Sequence, residues 1–221
     1  MRSKGVRKGY LVAAFGLVGL ASTPSLAEQK PPSPRQDFYT KLMEQAVDSL
    51  TGRAKAAAIV LDLWVDPKGR VFNCSAKSVA GSEKPSENFC RNSARLRMTA
   101  AKDAQGQAAF GRFTTMTKVF DEGANDTKEV QDATWPPDVE IILNRLPDGA
   151  DRSYDLSVAV AVDDEGRVSE CDGSPSIHET LKTIVCSQVQ NVNYCVMRSA
   201  DGKPVPYIRA IRATFTADNE S

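Results

Sequence analysis

The residues best suited to chemistry in this chain are five cysteines and one histidine. Four of the cysteines form two pairs of nearly equal spacing, with Cys74 and Cys90 separated by 16 positions and Cys171 and Cys186 by 15. Such pairs either form disulfides in an oxidising compartment or remain as buried free thiols. Disulfides are favoured, because this pairing treats both halves of the chain alike. Each bridge would close a short loop and stabilise the fold by roughly 3 kcal/mol.

The fifth cysteine, Cys195, has no partner in this scheme, and its counterpart in the first half of the chain is Thr99. It is therefore expected to be buried, reactive or available for an intermolecular bridge. A Ser-His-Asp or Cys-His mechanism would have to use the single histidine, His178. Because His178 stands beside Glu179 at the predicted start of a helix, we expect it to be solvated or to act in capping. The sequence therefore predicts a protein that is not an enzyme.

Metal and nucleotide motifs are missing from the sequence. A zinc site needs cysteine and histidine ligands at characteristic spacings, which cysteines 15 and 16 positions apart and one histidine do not supply. There is no GxxxxGK[ST] or GxGxxG phosphate loop. Acidic residues that could hold Ca²⁺ or act as general acids lie in predicted turns, where a turn role accounts for them: Asp66, Asp163, Asp164 and Glu165. We expect no cofactor and no metal.

The chain is internally duplicated. The segment Gly69–Cys74 (GRVFNC) reappears as Gly166–Cys171 (GRVSEC), and Gly106 corresponds to Gly202. The offset between the copies is 97 at the first cysteines and 96 at the second cysteines and the later glycines. A register that holds over the whole unit indicates a duplicated domain.

Each copy reads as strand, tight turn, strand, helix, strand, turn and strand. Apolar residues alternate over Ile59–Val65 and Leu156–Val162, as is typical of half-buried strands. The segments Asp66–Gly69 and Asp163–Gly166 have the composition of hairpin turns with glycine at positive φ.

Helices are predicted from apolar periodicity. The clearest is Asp37–Leu50, and each repeat contributes one more, over 86–97 and 177–192. The segment Ser176–Glu179 has the pattern of a capping box for the last of these. A shorter turn of helix is expected over 139–146, after a Trp-Pro-Pro sequence.

The first 27 residues have the composition of a cleaved signal peptide. Four basic residues precede the apolar run Leu11–Ala21, and Ser25–Ala27 has the small-x-small pattern of a cleavage site. The apolar run is far below the roughly 20 residues that span a bilayer. We therefore expect a periplasmic protein whose mature chain begins at Glu28, with a retained membrane anchor as the alternative.

Charge excludes one class of partner. Without residues 1–27 the chain carries 24 basic and 28 acidic residues, a net charge of about −4. Nucleic acids and anionic membranes, which basic patches bind, are therefore not expected partners. We divide the chain into a signal peptide, a linker with an N-terminal helix, a first domain, a second linker and a second domain, at residues 1–27, 28–55, 56–121, 122–138 and 139–221.

The order of these motifs resembles the C-terminal domain of TonB-family energy transducers. The matching stretches lie within residues 56–121 and 153–217: Asp66–Val71, Asp103–Gln107 and Phe113–Phe120 in the first copy, and Asp163–Val168, Asp201–Val205 and Ile208–Phe215 in the second. A cysteine pair between strand and helix is similar to a subset of bacterial TonB-like domains. The resemblance implies an α+β fold of two small tandem domains, each an antiparallel sheet packed on one helix with a helix–sheet disulfide.

The resemblance also implies a function. A partner segment from an outer-membrane receptor or another envelope protein would add a strand to an exposed sheet edge. A homodimer contact is the alternative use of that edge, while a membrane-anchored transducer and a structural envelope protein are the alternative functions. The edge residues expected to bind are Phe113, Thr115, Thr117, Val119, Tyr207, Arg209, Ile211 and Ala213.

The signal-peptide assignment predicts the mass of the exported protein. Purified from the periplasm of a Gram-negative host, the chain should begin at Glu28, because the small-x-small site ends at Ala27. Intact mass spectrometry after alkylation without reductant should show four missing hydrogens and one alkylated thiol. A membrane-bound product that keeps residues 1–27 would contradict the assignment.

Overall fold

The computed structural model describes residues 28–49, 56–83, 86, 89–120, 127–146, 153–173 and 178–218. The expected signal peptide lies outside these residues. The helices are α1 (Phe38–Ser49), α2 (Thr127–Asp132) and α3 (Glu179–Val189), with a 3₁₀ helix at Cys90–Arg95. The strands are β1 (Ser33–Pro34), β2 (Ala56–Val65), β3 (Val71–Gly81), β4 (Met98–Thr99), β5 (Ala101–Lys102), β6 (Ala108–Ala109), β7 (Gly111–Phe120), β8 (Val139–Leu143), β9 (Ser153–Val162), β10 (Val168–Gly173) and β11 (Tyr207–Ala217).

The fold is mixed α and β, with strands predominating among the described residues. In the first half, β2 pairs antiparallel with β3 on one side and with β7 on the other. In the second half, β9 pairs antiparallel with β10 and β11 in the same way. The two halves therefore repeat one strand arrangement, as the duplicated sequence predicts.

A short parallel contact joins the halves into one seven-stranded sheet. Ile208 and Arg209 of β11 pair with Gly111 and Arg112 of β7, and the order along the sheet is β10-β9-β11-β7-β2-β3, with β8 beside β11. Each pair lies 97 positions apart in sequence, as do the first cysteines of the two copies.

The two hydrophobic cores lie on opposite faces of this sheet. Leu63 and Val65 of β2 belong to the core under α1 and the 3₁₀ helix. Trp64, which points to the other face, packs instead against the core under α3. Since α1 and the 3₁₀ helix cover one face and α3 the other, the sheet is covered on both sides.

The N-terminal segment of the described chain is part of the fold. Lys30 exchanges two backbone hydrogen bonds with Lys102, and β1 pairs with β4. Pro32 fills the space beside Gly111 that a side chain would need, while Gln29 donates a side-chain hydrogen bond to Glu170 of the second half. Residues 28–34 therefore tie the halves together.

The two hairpin turns confirm the expected chemistry. Gly69 and Gly166 have φ of 74° and 87°, and a Cβ at either would collide with a backbone carbonyl of the post-helix segment. The turn carboxylate of Asp163 accepts the amides of Glu165 and Arg167 at 2.9 and 2.8 Å. The amide of Arg167 is the main cause that lowers the pKa of Asp163. Each turn therefore needs its own aspartate and its own glycine.

Several predicted boundaries need correction. The segment 139–146, expected to be helical, contains strand β8, because its backbone pairs in parallel with Ala213–Ala217. The last helix begins at Glu179 rather than 177, with extended backbone at His178, and ends at Val189 rather than 192. The capping residue Ser176 lies outside the described residues. In the first half, part of the predicted helix 86–97 is the 3₁₀ helix.

The prediction of the N-terminal helix is confirmed, whereas the predicted linker contains a helix. Helix α1 matches its prediction within one residue at each end, and Phe38 and Leu42 on its apolar face are buried. The segment 122–138 was expected to be a linker, and its described part forms α2. Val130 of that helix packs on Ala56 and Ala58, which alternate with the first-core residues Ala57 and Ile59, so α2 covers the face of β2 opposite to α1.

Both disulfides are confirmed. Cys74 on β3 is bonded to Cys90 at the start of the 3₁₀ helix, and Cys171 on β10 is bonded to Cys186 in α3. Each bond therefore fastens a helix to the outermost strand of its half. Cys195 is free and exposed.

Removing one bridge should cost stability without changing the fold. Replacing Cys171 and Cys186 together by serine frees a loop of 15 residues, which in the chain-entropy model lowers the free energy of unfolding by about 3 kcal/mol. Urea unfolding, compared with the Cys195→Ser variant, measures the difference. Equal stability of the two variants would contradict a stabilising role for the bridge.

Candidate functional site: a cleft between two strands

The last strand is not an edge. Expected to be open, β11 pairs with β9 along one side and with β7 and then β8 along the other. Its predicted edge residues are all at most 6 % exposed. This side of β11 is taken by β7 at Ile208 and Arg209, by Asp138 at Arg212, and by β8, which the sequence pattern did not reveal, from Ala213 onward. The predicted edge residues therefore cannot receive a partner strand: Tyr207, Arg209, Ile211 and Ala213.

The open edge belongs to β7. This strand pairs with β2 along its whole length but with β11 only at Gly111 and Arg112. Beyond Arg112 the two strands separate, and β8 pairs with β11 from Ala213 onward. Among the described residues no strand pairs with this side of β7. We call the space between β7 and β11–β8 the strand cleft.

Strand geometry decides which residues of β7 present free backbone groups. The amide of Ile208 donates to the carbonyl of Phe110 at 3.0 Å, so the backbone of residue 110 faces the cleft side. Successive residues alternate, so the even-numbered positions expose their N–H and C=O groups to the cleft. These residues are Thr114, Met116, Lys118 and Phe120.

The residues expected on this edge therefore need correction. Phe113 and Val119 pair with Leu63 and Ala57 of β2, and their side chains pack in or against the first core. The predicted strand is right, but its odd-numbered residues have their backbone groups toward β2 rather than the cleft. The residues that need this correction are Phe113, Thr115, Thr117 and Val119.

The cleft contains two cavities of about 440 and 690 Å³. Trp135, Asp155 and Arg212 line both, so the cavities adjoin one another. The smaller reaches Pro32 and Arg112, while the larger extends along the open part of β7. The further residues lining the larger cavity include Thr115, Met116, Ala133, Thr134, Pro136, Pro137, Glu140, Ser153 and Thr214.

Asp138 closes β11 where it has no strand neighbour. One carboxylate oxygen accepts the backbone amide of Arg212 at 2.9 Å, and the Asp138 amide donates to the Arg212 carbonyl at 2.9 Å. The other oxygen accepts from Arg209 Nη2 at 2.5 Å. Asp138 therefore supplies the hydrogen-bond partners for the backbone of β11 at Arg212, between the stretches that pair with β7 and β8. It also neutralises the buried guanidinium of Arg209.

Trp135 and Arg212 form one wall of the cleft. The Arg212 guanidinium lies 4.3 Å from the centre of the indole ring and donates to the Trp135 carbonyl at 3.2 Å. A cation stacked on an aromatic face is held in one orientation. The segment Trp135–Pro137, assigned in the sequence to the second linker, thus shapes the site.

The apex of the cleft carries a cluster of polar side chains. Arg112 is in a bidentate pair with Asp62 and donates to the thiol of Cys195 at 3.2 Å. Tyr207 donates its hydroxyl to the Cys195 carbonyl at 3.0 Å, and burial raises the pKa of Tyr207 to about 12. The free cysteine thus lies where the halves meet.

Two exposed apolar side chains lie on the strands beside the cleft. Phe120 at the end of β7 is 45 % exposed, and Ile142 on β8 is 72 % exposed.

The remaining chemical candidates are separated. His178 precedes α3 and Cys195 follows its other end, and this eleven-residue helix is about 16 Å long. Within the described ranges, no three His, Cys, Asp or Glu side chains converge into a metal-binding group. In the same part of the chain, no helix is long and apolar enough to cross a membrane.

No protein-family model, curated protein or solved structure matches this chain.

Removing the Asp138 carboxylate should destabilise this junction. Asp138→Ala leaves Arg209 buried without its carboxylate partner, an effect on the order of 3–5 kcal/mol for a fully buried pair. Because the Asp138 side chain is 26 % exposed, we expect a loss of about 2 kcal/mol in the free energy of unfolding. Chemical denaturation measures it, with Glu140→Ala in the same cleft as the control. Equal stability of the two variants would contradict this role.

Proposed function

We propose that this protein is an extracytoplasmic protein-binding module that takes an extended segment of its partner into the strand cleft. The observation that carries the proposal is the unpaired side of β7 beyond Arg112. Unpaired backbone groups on an edge strand are a template for a further strand, whose main-chain hydrogen bonds supply affinity.

The surroundings of the edge support this proposal. The even-numbered residues of β7 direct their backbone groups into a cleft with room for side chains of a bound segment. Phe120 on β7 and Ile142 on β8 are exposed, and a bound segment long enough to contact these side chains would gain selectivity from them.

The finer architecture belongs to the same proposal. Each half has the order strand, turn, strand, helix, strand, with a disulfide between helix and outer strand. This order agrees with two tandem domains like the TonB C-terminal domain that share one sheet. Two disulfides in the described chain are compatible with an oxidising compartment, which supports a periplasmic location and an envelope protein or receptor segment as the partner.

The position of residues 28–34 bears on the alternative of a membrane-anchored transducer. These residues pair with β4 and β5 and contact Glu170, so they are not free to act as a spacer. A transducer needs a long tether between the membrane and its domain. The non-enzymatic binding module is therefore the better-supported function.

The proposal predicts where bound peptides protect the backbone. Peptides selected from a random displayed library against the exported protein should slow amide hydrogen exchange at Met116 and Lys118, because those N–H groups face the cleft. Lys118→Pro removes one such donor from an edge where proline is tolerated. We expect its affinity to fall about tenfold, with folding preserved.

Two controls separate loss of binding from loss of structure. Lys118→Ala removes the same side chain but keeps the N–H, so it should bind like the parent protein. Thr117→Pro removes an N–H that pairs with β2 and should lower stability by about 1–3 kcal/mol. Selected peptides that bind Lys118→Pro as tightly as Lys118→Ala would overturn the proposal.

A further inference from the structure

A second cavity, of about 620 Å³, lies away from the strand cleft, between the first half and the last hairpin of the second half. We refer to it as the hairpin pocket. Its apolar floor is formed by Phe72 and Phe110, whose rings meet edge to face at 5.9 Å. Both rings are only half-buried, so the floor retains apolar surface in contact with water. Burying such surface under a ligand is favourable.

The rim of the hairpin pocket is charged. Three cations and two carboxylates line it: Lys68, Arg70, Arg97, Asp66 and Asp201. Two of the cations have no carboxylate partner among the described residues, because Arg70 pairs with Asp66 while Lys68 and Arg97 form no ion pair. The rim therefore has an excess of positive charge.

Both carboxylates of the rim are already engaged. Asp66 accepts the amides of Lys68 and Arg70 at 2.9 Å each and pairs with the Arg70 guanidinium. Asp201 accepts the Ser199 hydroxyl at 2.5 Å and lies 3.5 Å from Lys203. Because their charges are compensated locally, an incoming anion would meet mainly Lys68 and Arg97.

The Arg97 side chain is oriented by hydrogen bonds to the C-terminal end of the 3₁₀ helix, which it follows in sequence. Its Nη1 donates to the carbonyls of Ala94 and Leu96 at 2.8 and 2.9 Å. The guanidinium carries five donors in a fixed fork, so donors remain for a bidentate carboxylate. A ligand that reaches Arg97 and covers the aromatic floor needs an apolar body and one anionic end.

The second half provides an internal comparison. Gly166 contacts Tyr194 as Gly69 contacts Met98, which fixes the structural correspondence at the repeat offsets of 97 and 96. At these offsets the floor residues Phe72 and Phe110 correspond to Ser169 and Pro206, and the cations Lys68 and Arg97 to Glu165 and Asn193. The second half forms the same strand arrangement without the unpaired cations, so the repeat architecture does not require Lys68 and Arg97. Phe72 and Phe110 also pack against the core of the second half, and their half-buried rings leave apolar surface for the floor of the pocket.

We propose that the hairpin pocket binds small carboxylates with a flat apolar body, held by the Phe72–Phe110 floor and by the cations Lys68 and Arg97. This site is independent of the strand cleft, since none of the residues lining the pocket lines the cleft. Its occupant bridges the first half and the 199–201 turn of the second.

Naphthoate is the probe, and naphthylmethanol is its neutral analogue of similar shape. Titration of the full exported protein, followed by ligand fluorescence and by amide shifts, should give saturable naphthoate binding with shifts around Phe110 and Ser199. The alcohol should bind at least about tenfold more weakly, since it cannot form the charged hydrogen bonds.

The variants take their residues from the second half. Lys68→Glu with Arg97→Asn introduces the residues found at the matching positions, so the fold should be retained, as circular dichroism and thermal melting can verify. Naphthoate affinity should fall at least about tenfold. Arg91→Gln, which removes an exposed cation of the 3₁₀ helix outside the pocket, should leave affinity unchanged. Ala94→Trp should block the pocket.

Three results would overturn the proposal: no saturable binding of naphthoate, equal affinities for naphthoate and naphthylmethanol, or unchanged affinity in the folded double variant. None of these results depends on the strand cleft. Peptide binding at β7 and naphthoate binding at the hairpin pocket can therefore fail separately.

Discussion

The parallel pairing of Ile208 and Arg209 with Gly111 and Arg112 is the contact on which the rest of the structure depends. It turns two small antiparallel sheets into one sheet. Small domains bury a smaller fraction of their surface than large ones and are marginally stable. This contact lets residues of the first half, such as Trp64, pack against the core of the second. Because the cores lie on opposite faces, side chains of the first half that point away from their own core cover part of the second core.

The same contact explains why the molecule has a cleft. The pairing lasts for two residues, and after it β7 and β11 follow the separate twists of their own sheets. Unpaired backbone groups on a buried central strand destabilise a fold. Those of β11 are hydrogen-bonded first by Asp138 and then by β8. No comparable strand completes β7 among the described residues. The open edge is thus a consequence of joining two copies of one domain along a short seam.

Sequence reasoning reached the features that are coded locally. Repeated cysteine spacing identified both disulfides, and the Asp–Gly–Arg pattern identified both turns, since each depends on residues close in the chain. It missed β8, a segment of five residues that is apolar at positions 139, 141, 142 and 143. This pattern fits a helix as well as a strand, and only pairing with β11 decides between them. It also missed which residues of β7 direct their backbone groups to the open edge. Whether these are the odd- or the even-numbered residues is set by the contact with Ile208, about 97 positions away.

Differences between the copies carry information that a single copy lacks. Gly111 and Tyr207 occupy matching positions, yet Gly111 leaves a space that Pro32 fills, whereas Tyr207 fills the space itself and donates to the Cys195 carbonyl. In the first half this space is thus filled by a residue of the N-terminal segment 28–34, and in the second half by the side chain of Tyr207. Both solutions satisfy the same packing requirement, so this difference needs no ligand. The unpaired cations Lys68 and Arg97 of the hairpin pocket satisfy no such requirement, since Glu165 and Asn193 stand at the equivalent places. That contrast makes the hairpin pocket a better candidate for binding than its size alone would.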